Sequence, residues 1–138
     1  MDANSFLSHR LAGLCQIALK RYEEAIDTFG YLMKMSNRHQ HALTSLIWAY
    51  CSNGNPEEAR ILMNELKNRS VTEYIAGTYA GLSAAYLSEV NTAFNYLNKA
   101  YDDRDPILIQ LKYSPAVPAS LRNDPRFKNL LDRIGFPK

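Results

Sequence analysis

The chain reads as an all-α solenoid of three helix-turn-helix units closed by C-terminal capping helices. Three observations predict this. Small and apolar residues recur every 34 positions: Ala25, Ala59 and Ala93; Phe29, Met63 and Leu97; Gly13, Ile47 and Gly81. Leu32, Leu66 and Ala100 keep the same register, as do Ala12, Leu46 and Ala80. Self-similarity at such a period marks a repeat architecture, in which each unit buries its apolar face against the next. Within a unit the apolar residues fall three and four apart, the helical period. Turn and start signals then divide each unit in two. The predicted units span about 5–37, 38–71 and 72–105, with a cap over 106–138, all within one domain.

In the first unit Leu7, Leu11, Leu14 and Ala18 carry a helical period. Arg21-Tyr22-Glu23-Glu24-Ala25 opens the second helix, with acids in the first turn, where the helix dipole favours them. That helix turns Ala25, Ile26, Phe29, Leu32 and Met33 inward. In the second unit Leu43, Leu46, Ile47 and Tyr50 form the stripe, and Asn53-Gly54 stops the helix with a glycine suited to a left-handed cap. Asn55-Pro56-Glu57-Glu58 restarts it with a cap, a proline at the first helical position and two acids. Ser70-Val71-Thr72-Glu73 reads as a capping box opening the third unit. Its helices carry Ile75, Tyr79, Leu82 and Tyr86, then Ala93, Phe94, Leu97 and Ala100. Ala25, Ala59 and Ala93 are placed where the two helices of one unit cross, since a larger side chain there would push the axes apart.

No regular fourth repeat follows. Its first helix would carry Pro115 and Pro118, which break a helix. A short helix from about Pro106 to Lys112, an irregular proline-bearing stretch and a last helix from about Pro125 to Ile134 are expected instead. Leu108, Leu111, Phe127, Leu130 and Leu131 are the candidates to cover the end of the stack.

Composition excludes several classes. Apolar residues make up 46% and charged residues 22%, too close to a globular average for a disordered chain. The formal net charge of +2 gives no case for nucleic-acid binding. No apolar run approaches the roughly 20 residues of a membrane span, and Met1 to Arg10 does not read as a secretory signal. The expected location is cytoplasmic, with Cys15 and Cys51 as ordinary buried thiols.

No catalytic constellation can be assembled, and no cofactor or metal is implied. His39 and His41 are two apart and diverge on a helix, so they do not share a metal. Glu23-Glu24 and Glu57-Glu58 are helix-start acids rather than paired catalytic carboxylates. Asp102-Asp103-Arg104-Asp105 lacks the glycine and distal glutamate of a calcium loop and reads as a cap for the helix at Pro106. Arg122, Arg126, Lys128 and Arg133 cluster late, but Asp124 and Asp132 interrupt them, so a solvated face is preferred to a nucleic-acid patch.

The 34-residue unit, with its small residue, acid-rich turn and aromatic, resembles the tetratricopeptide repeat, roughly over residues 5–103. Arg21 to Leu32 carries the match best. The tail, from Ala100-Tyr101-Asp102-Asp103-Arg104-Asp105-Pro106 through Leu121-Arg122-Asn123-Asp124-Pro125-Arg126-Phe127, resembles the C-terminal end of repeat arrays in bacterial multidomain signalling proteins. The resemblance implies a right-handed solenoid whose first helices line a concave groove. The groove positions it carries over include Leu7, Arg10, Leu11, Leu14, His41, Ser45, Trp48, Tyr79, Leu82 and Tyr86. Trp48, Tyr79, Tyr86 and Arg10 are of the types enriched at binding hot spots.

The expected function is therefore a non-enzymatic protein-interaction or scaffold module of a bacterial signalling or regulatory protein, taking a peptide or helix in its groove. Homo-oligomers are possible; nucleic acid and membrane are not expected partners. Two alternatives stand beside it: a structural or self-association domain with the groove filled internally, and a small-ligand sensor with an aromatic pocket around Trp48 and Tyr79. One binding mode is argued against. Relatives that grip the C-terminal carboxylate of heat-shock chaperones use a lysine/asparagine clamp. Here Arg10 alone is basic, and Leu14, Ser45, Ile75 and Tyr79 hold the other positions. An acidic chaperone-tail peptide is expected not to bind; a dissociation constant tighter than about 10 µM in a titration would overturn this.

Overall fold

The computed structural model describes residues 2–135 and is all-helical over them. The chain divides between Glu73 and Tyr74 into two compact units.

The first unit holds α1 (Ala3–Ala18), α2 (Tyr22–Met35), α3 (Gln40–Ser52) and α4 (Pro56–Arg69). Asp2 starts α1 by accepting from the Ser5 N–H at 2.8 Å. Glu23 and Glu24 occupy the first turn of α2, and Glu57 and Glu58 that of α4, which begins on Pro56. Gly54 takes φ +76° and ends α3 in the left-handed region, as its spacing predicts. Asn55 stands at the N-cap of α4 without a side-chain cap bond; its Oδ1 accepts from Asn53 Nδ2 at 2.7 Å instead. Ala25, Phe29, Leu32, Leu43, Ile47 and Ala59 are fully buried, and Ile26 and Tyr50 half-buried.

The second unit holds α5 (Gly77–Tyr86), α6 (Val90–Asp102), a 3-10 helix (Pro106–Lys112), α7 (Ala119–Arg122) and α8 (Pro125–Ile134). Every residue of α5 up to Ala85 is buried. Its glycines bring it onto α6: a Cβ on Gly77 would lie 2.6 Å from the Tyr96 carbonyl oxygen, and one on Gly81 would lie 2.8 Å from Leu97 Cδ2. Gly81 and Leu97 repeat a pair seen in the first unit, where Gly13 faces the Phe29 ring. The same register positions in the intervening repeat hold Ile47 and Met63, both buried. Asp105 caps the 3-10 helix through the Ile107 N–H at 3.0 Å, and Asp124 caps α8 through the Arg126 N–H at 2.9 Å. Leu108, Leu111, Phe127 and Leu130 are buried and Leu131 half-buried, as expected of the end cover. The short α7 lies in the stretch expected to be irregular.

Two expectations are corrected. Ser70 to Glu73 forms no capping box. The Ser70 hydroxyl bonds back to the Lys67 carbonyl at 2.6 Å, continuing the end of α4, and α5 starts later, after Ala76. Short hydroxyl side chains serve either end of a helix, and here the nearer carbonyls win. Cys15 is exposed and Cys51 half-buried, rather than both being core thiols. Burial pushes the Cys51 thiol up to about 11, against the opposing pull of Arg60, so it is not a thiolate near neutrality. The late basic residues Arg122, Arg126, Lys128 and Arg133 are all exposed, as expected of a solvated face, and three of them also tether neighbouring segments. Arg122 donates to the Leu111, Lys112 and Ser114 carbonyls. Arg126 donates to Asn91 Oδ1 and lies 4.4 Å over the Phe94 ring; Arg133, one heptad on, donates to Asn98 Oδ1 and lies 5.0 Å over Tyr101. The seven-residue spacing matches α8 to α6.

Candidate functional site

In the first unit a polar contact joins α1 to α3. Arg10 Nε donates to His41 Nε2 at 2.8 Å. A nitrogen that accepts cannot carry a proton, so His41 is neutral with its hydrogen on Nδ1. Burial, then the Arg10 and His39 charges, push its pKa down to about 3, so this geometry persists through the neutral range. His39 Nδ1 accepts from the His41 N–H at 3.1 Å and caps α3. The Phe6 ring stands edge-on to His39 at 5.6 Å and tilted to His41 at 5.9 Å. One turn along α3, the Ser45 hydroxyl donates to the His41 carbonyl at 3.0 Å. Arg10, Leu14, His41 and Trp48 are half-buried and Ser45 is buried.

The same helix presents an apolar edge. Leu7 is 50% exposed and Leu11 49%, four residues apart on one face of α1, and Gly13 is the only buried residue of that helix. The helical period of this stripe was legible, but its direction was not: Leu7 and Leu11 face outward. An open cavity of about 630 Å³ lies at the N-terminal end of α1, lined by Asp2, Ala3, Phe6, Met35, Ser36, Asn37 and His39. Phe6 and Met35 escaped the sequence reading. Phe6 lies outside the repeat-aligned stripe, and Met35 is the last residue of α2.

The three candidates in the second unit differ. Tyr79 and Leu82 are each only 8% exposed and lie in the core. Tyr86 is half-buried, and its hydroxyl donates to the Ala116 carbonyl at 2.6 Å, so the C-terminal tail sits on the end of α5. Their expected role as open groove residues is corrected on this ground: the tail and the core hold them.

Among the described residues no group of three or more histidine, cysteine, aspartate or glutamate side chains is arranged to hold a metal ion. Among them, too, no helix is long and apolar enough to cross a membrane. Residues 16–82 match the family model of the tetratricopeptide repeat. Comparison with curated proteins and with solved structures gives no match.

Proposed function

From a chain that carries tetratricopeptide repeats over residues 16–82, repeats that generally mediate protein–protein interaction or scaffolding and are typically non-catalytic, we infer a module that binds a peptide or helix on the α1–α3 face of its first unit. The observation that carries this reading is the half-exposed apolar edge Leu7 and Leu11, next to the fixed Arg10–His41 pair. A contiguous exposed apolar surface with a polar rim is the usual mark of a partner site. Arg10 is held by His41 and so presents its guanidinium at little conformational cost on binding. The half-buried Leu14 and Trp48 extend the surface along the two helices, over the buried Ser45; a rigid surface of this kind binds by presentation, without chemistry.

The finer context belongs to the same proposal. The tail's resemblance to repeat-array endings supports a place at the C-terminal side of a bacterial signalling or regulatory protein in the cytoplasm. The exposed α1 edge would equally suit a second copy of the chain, the alternative reading.

The test is affinity capture from native lysate by wild type, Trp48→Ala and Leu11→Ser, each checked for folding by circular dichroism. Leu11 is half-exposed, so Leu11→Ser spares the core and keeps the test valid if Trp48→Ala unfolds. A partner held by wild type and lost at least about tenfold with folded Leu11→Ser is expected, a loss of roughly 1.4 kcal/mol. Equal recovery of the same partner by the folded variants would move the site off this face. No partner, together with a mass that doubles with concentration in light scattering, would favour self-association.

A further inference from the structure

We infer that a second, separate cleft on the first unit, between α1 and α2, recognises a cationic side chain, lysine or arginine, of a protein partner. The cleft is shallow and wide open to solvent, with a volume of about 330 Å³, and is lined by His9, Asp27, Thr28 and Tyr31. None of these belongs to the α1–α3 surface above, so the two readings stand or fall separately.

The chemistry of the lining selects a cation. His9 Nδ1 lies 2.7 Å from the Ser5 carbonyl oxygen. A carbonyl only accepts, so Nδ1 carries a hydrogen, and in the neutral ring Nε2 is an acceptor. The Thr28 hydroxyl donates to Gln16 Oε1 at 2.7 Å, which uses its hydrogen and leaves its lone pairs. The Asp27 carboxylate is exposed and makes no hydrogen bond or ion pair with the described residues. Tyr31 is 47% exposed and stacks on His9 with ring centres 5.0 Å apart, adding an aromatic face. The groups offered are a full negative charge, neutral acceptors and a π surface. An ammonium or guanidinium satisfies all three, whereas an anion meets the carboxylate and an apolar group leaves it unpaired.

The surrounding charge agrees. The α2 sequence carries Glu23, Glu24 and Asp27 against a single Lys34, although the whole chain is +2. Glu24 is ion-paired with Arg21 at 3.8 Å and Glu23 accepts from Asn53 at 3.2 Å, so Asp27 is the carboxylate of α2 left to attract a cation to this cleft. The lining comes from two packed helices rather than a loop, so the acceptors keep their spacing without the partner.

The test is a titration of the intact chain followed by amide nuclear magnetic resonance. The probes are N-acetyl-lysine methylamide, N-acetyl-arginine methylamide and the uncharged N-acetyl-norleucine methylamide. Saturable shifts centred on His9, Asp27, Thr28 and Tyr31 are expected with one or both cationic probes and not with norleucine; which cation saturates first names the side chain. Asp27→Asn, on the surface, is expected to weaken the binding about tenfold, and Tyr31→Ala about threefold. No saturable shift at these residues with either cation overturns the inference. So do equal shifts with norleucine, or an unchanged affinity in Asp27→Asn.

Discussion

Asp105→Ala is expected to destabilise the second unit by about 2–4 kcal/mol, read from chemical denaturation followed by circular dichroism. Asp105 is 6% exposed and serves two elements at once. One carboxylate oxygen accepts from the Thr78 hydroxyl at 2.7 Å and from the Thr78 N–H at 3.3 Å; the other accepts from the Ile107 N–H at 3.0 Å. Alanine removes the cap of the 3-10 helix and leaves the buried Thr78 hydroxyl without its partner. Each loss alone costs about 1–2 kcal/mol, and an unsatisfied buried donor lies at the upper end. Asp105→Asn keeps one acceptor oxygen and is expected to lose about half as much. If Asp105→Ala and Asp105→Asn cost the same small amount, below about 0.5 kcal/mol, the carboxylate is not what joins α5 to the 3-10 helix.

Gly13→Ala is the second substitution with a large expected effect. On helix propensity alone it would stabilise α1 by about 1 kcal/mol. The tertiary structure reverses the sign. A Cβ at Gly13 would overlap the Phe29 ring, with Cδ1 2.9 Å away, and Phe29 is fully buried, so the ring has nowhere to go. The expected result is a net loss of about 1–3 kcal/mol, from overpacking. Phe29→Leu should by itself cost about 1–2 kcal/mol as a partly collapsed cavity. The double variant is expected to cost less than the sum by at least about 0.5 kcal/mol, because the shorter side chain makes room for the methyl. Strict additivity would mean that the ring yields freely. At the same register in the third repeat Gly81 faces Leu97, and a Cβ there would still lie 2.8 Å from Leu97 Cδ2.

These two sites mark the boundary of what was legible. The Gly13 and Gly81 positions were visible as members of a register, but the ring against Gly13 is a fact of packing between α1 and α2. The Asp105 cap was visible from Asp-Pro at a helix start; its bond to Thr78, 27 residues away, was not. The α2 and α4 starts, the Gly54 stop and the α8 bounds were readable because each depends on residues within one turn of the chain. Ser70 to Glu73 misled for a related reason: a local pattern of hydroxyls and acid fits a helix end as well as a helix start.

For the candidate site, Arg10, Leu14, His41 and Trp48 were named by aligning the register to the family it resembles, and they lie half-buried in the first unit. Tyr79, Leu82 and Tyr86 share that register, yet are core or covered. The 34-residue period states which positions are equivalent; it does not state what the tail does to one of them. The outward turn of Leu7 and Leu11 was hidden likewise, since an apolar residue at helical spacing looks the same whether its face meets a neighbour or solvent.

The amino-acid sequence by itself determined the helices, the 34-residue register and the capped tail, because period, cap and proline act over a few residues of chain. The tertiary structure alone decided which apolar stripes are covered, which glycines meet a neighbouring helix, and that Arg126 and Arg133 lock α8 onto α6. Those outcomes depend on contacts between residues far apart in the chain, where side-chain volume and the donors left unpaired choose among faces that local chemistry makes equivalent.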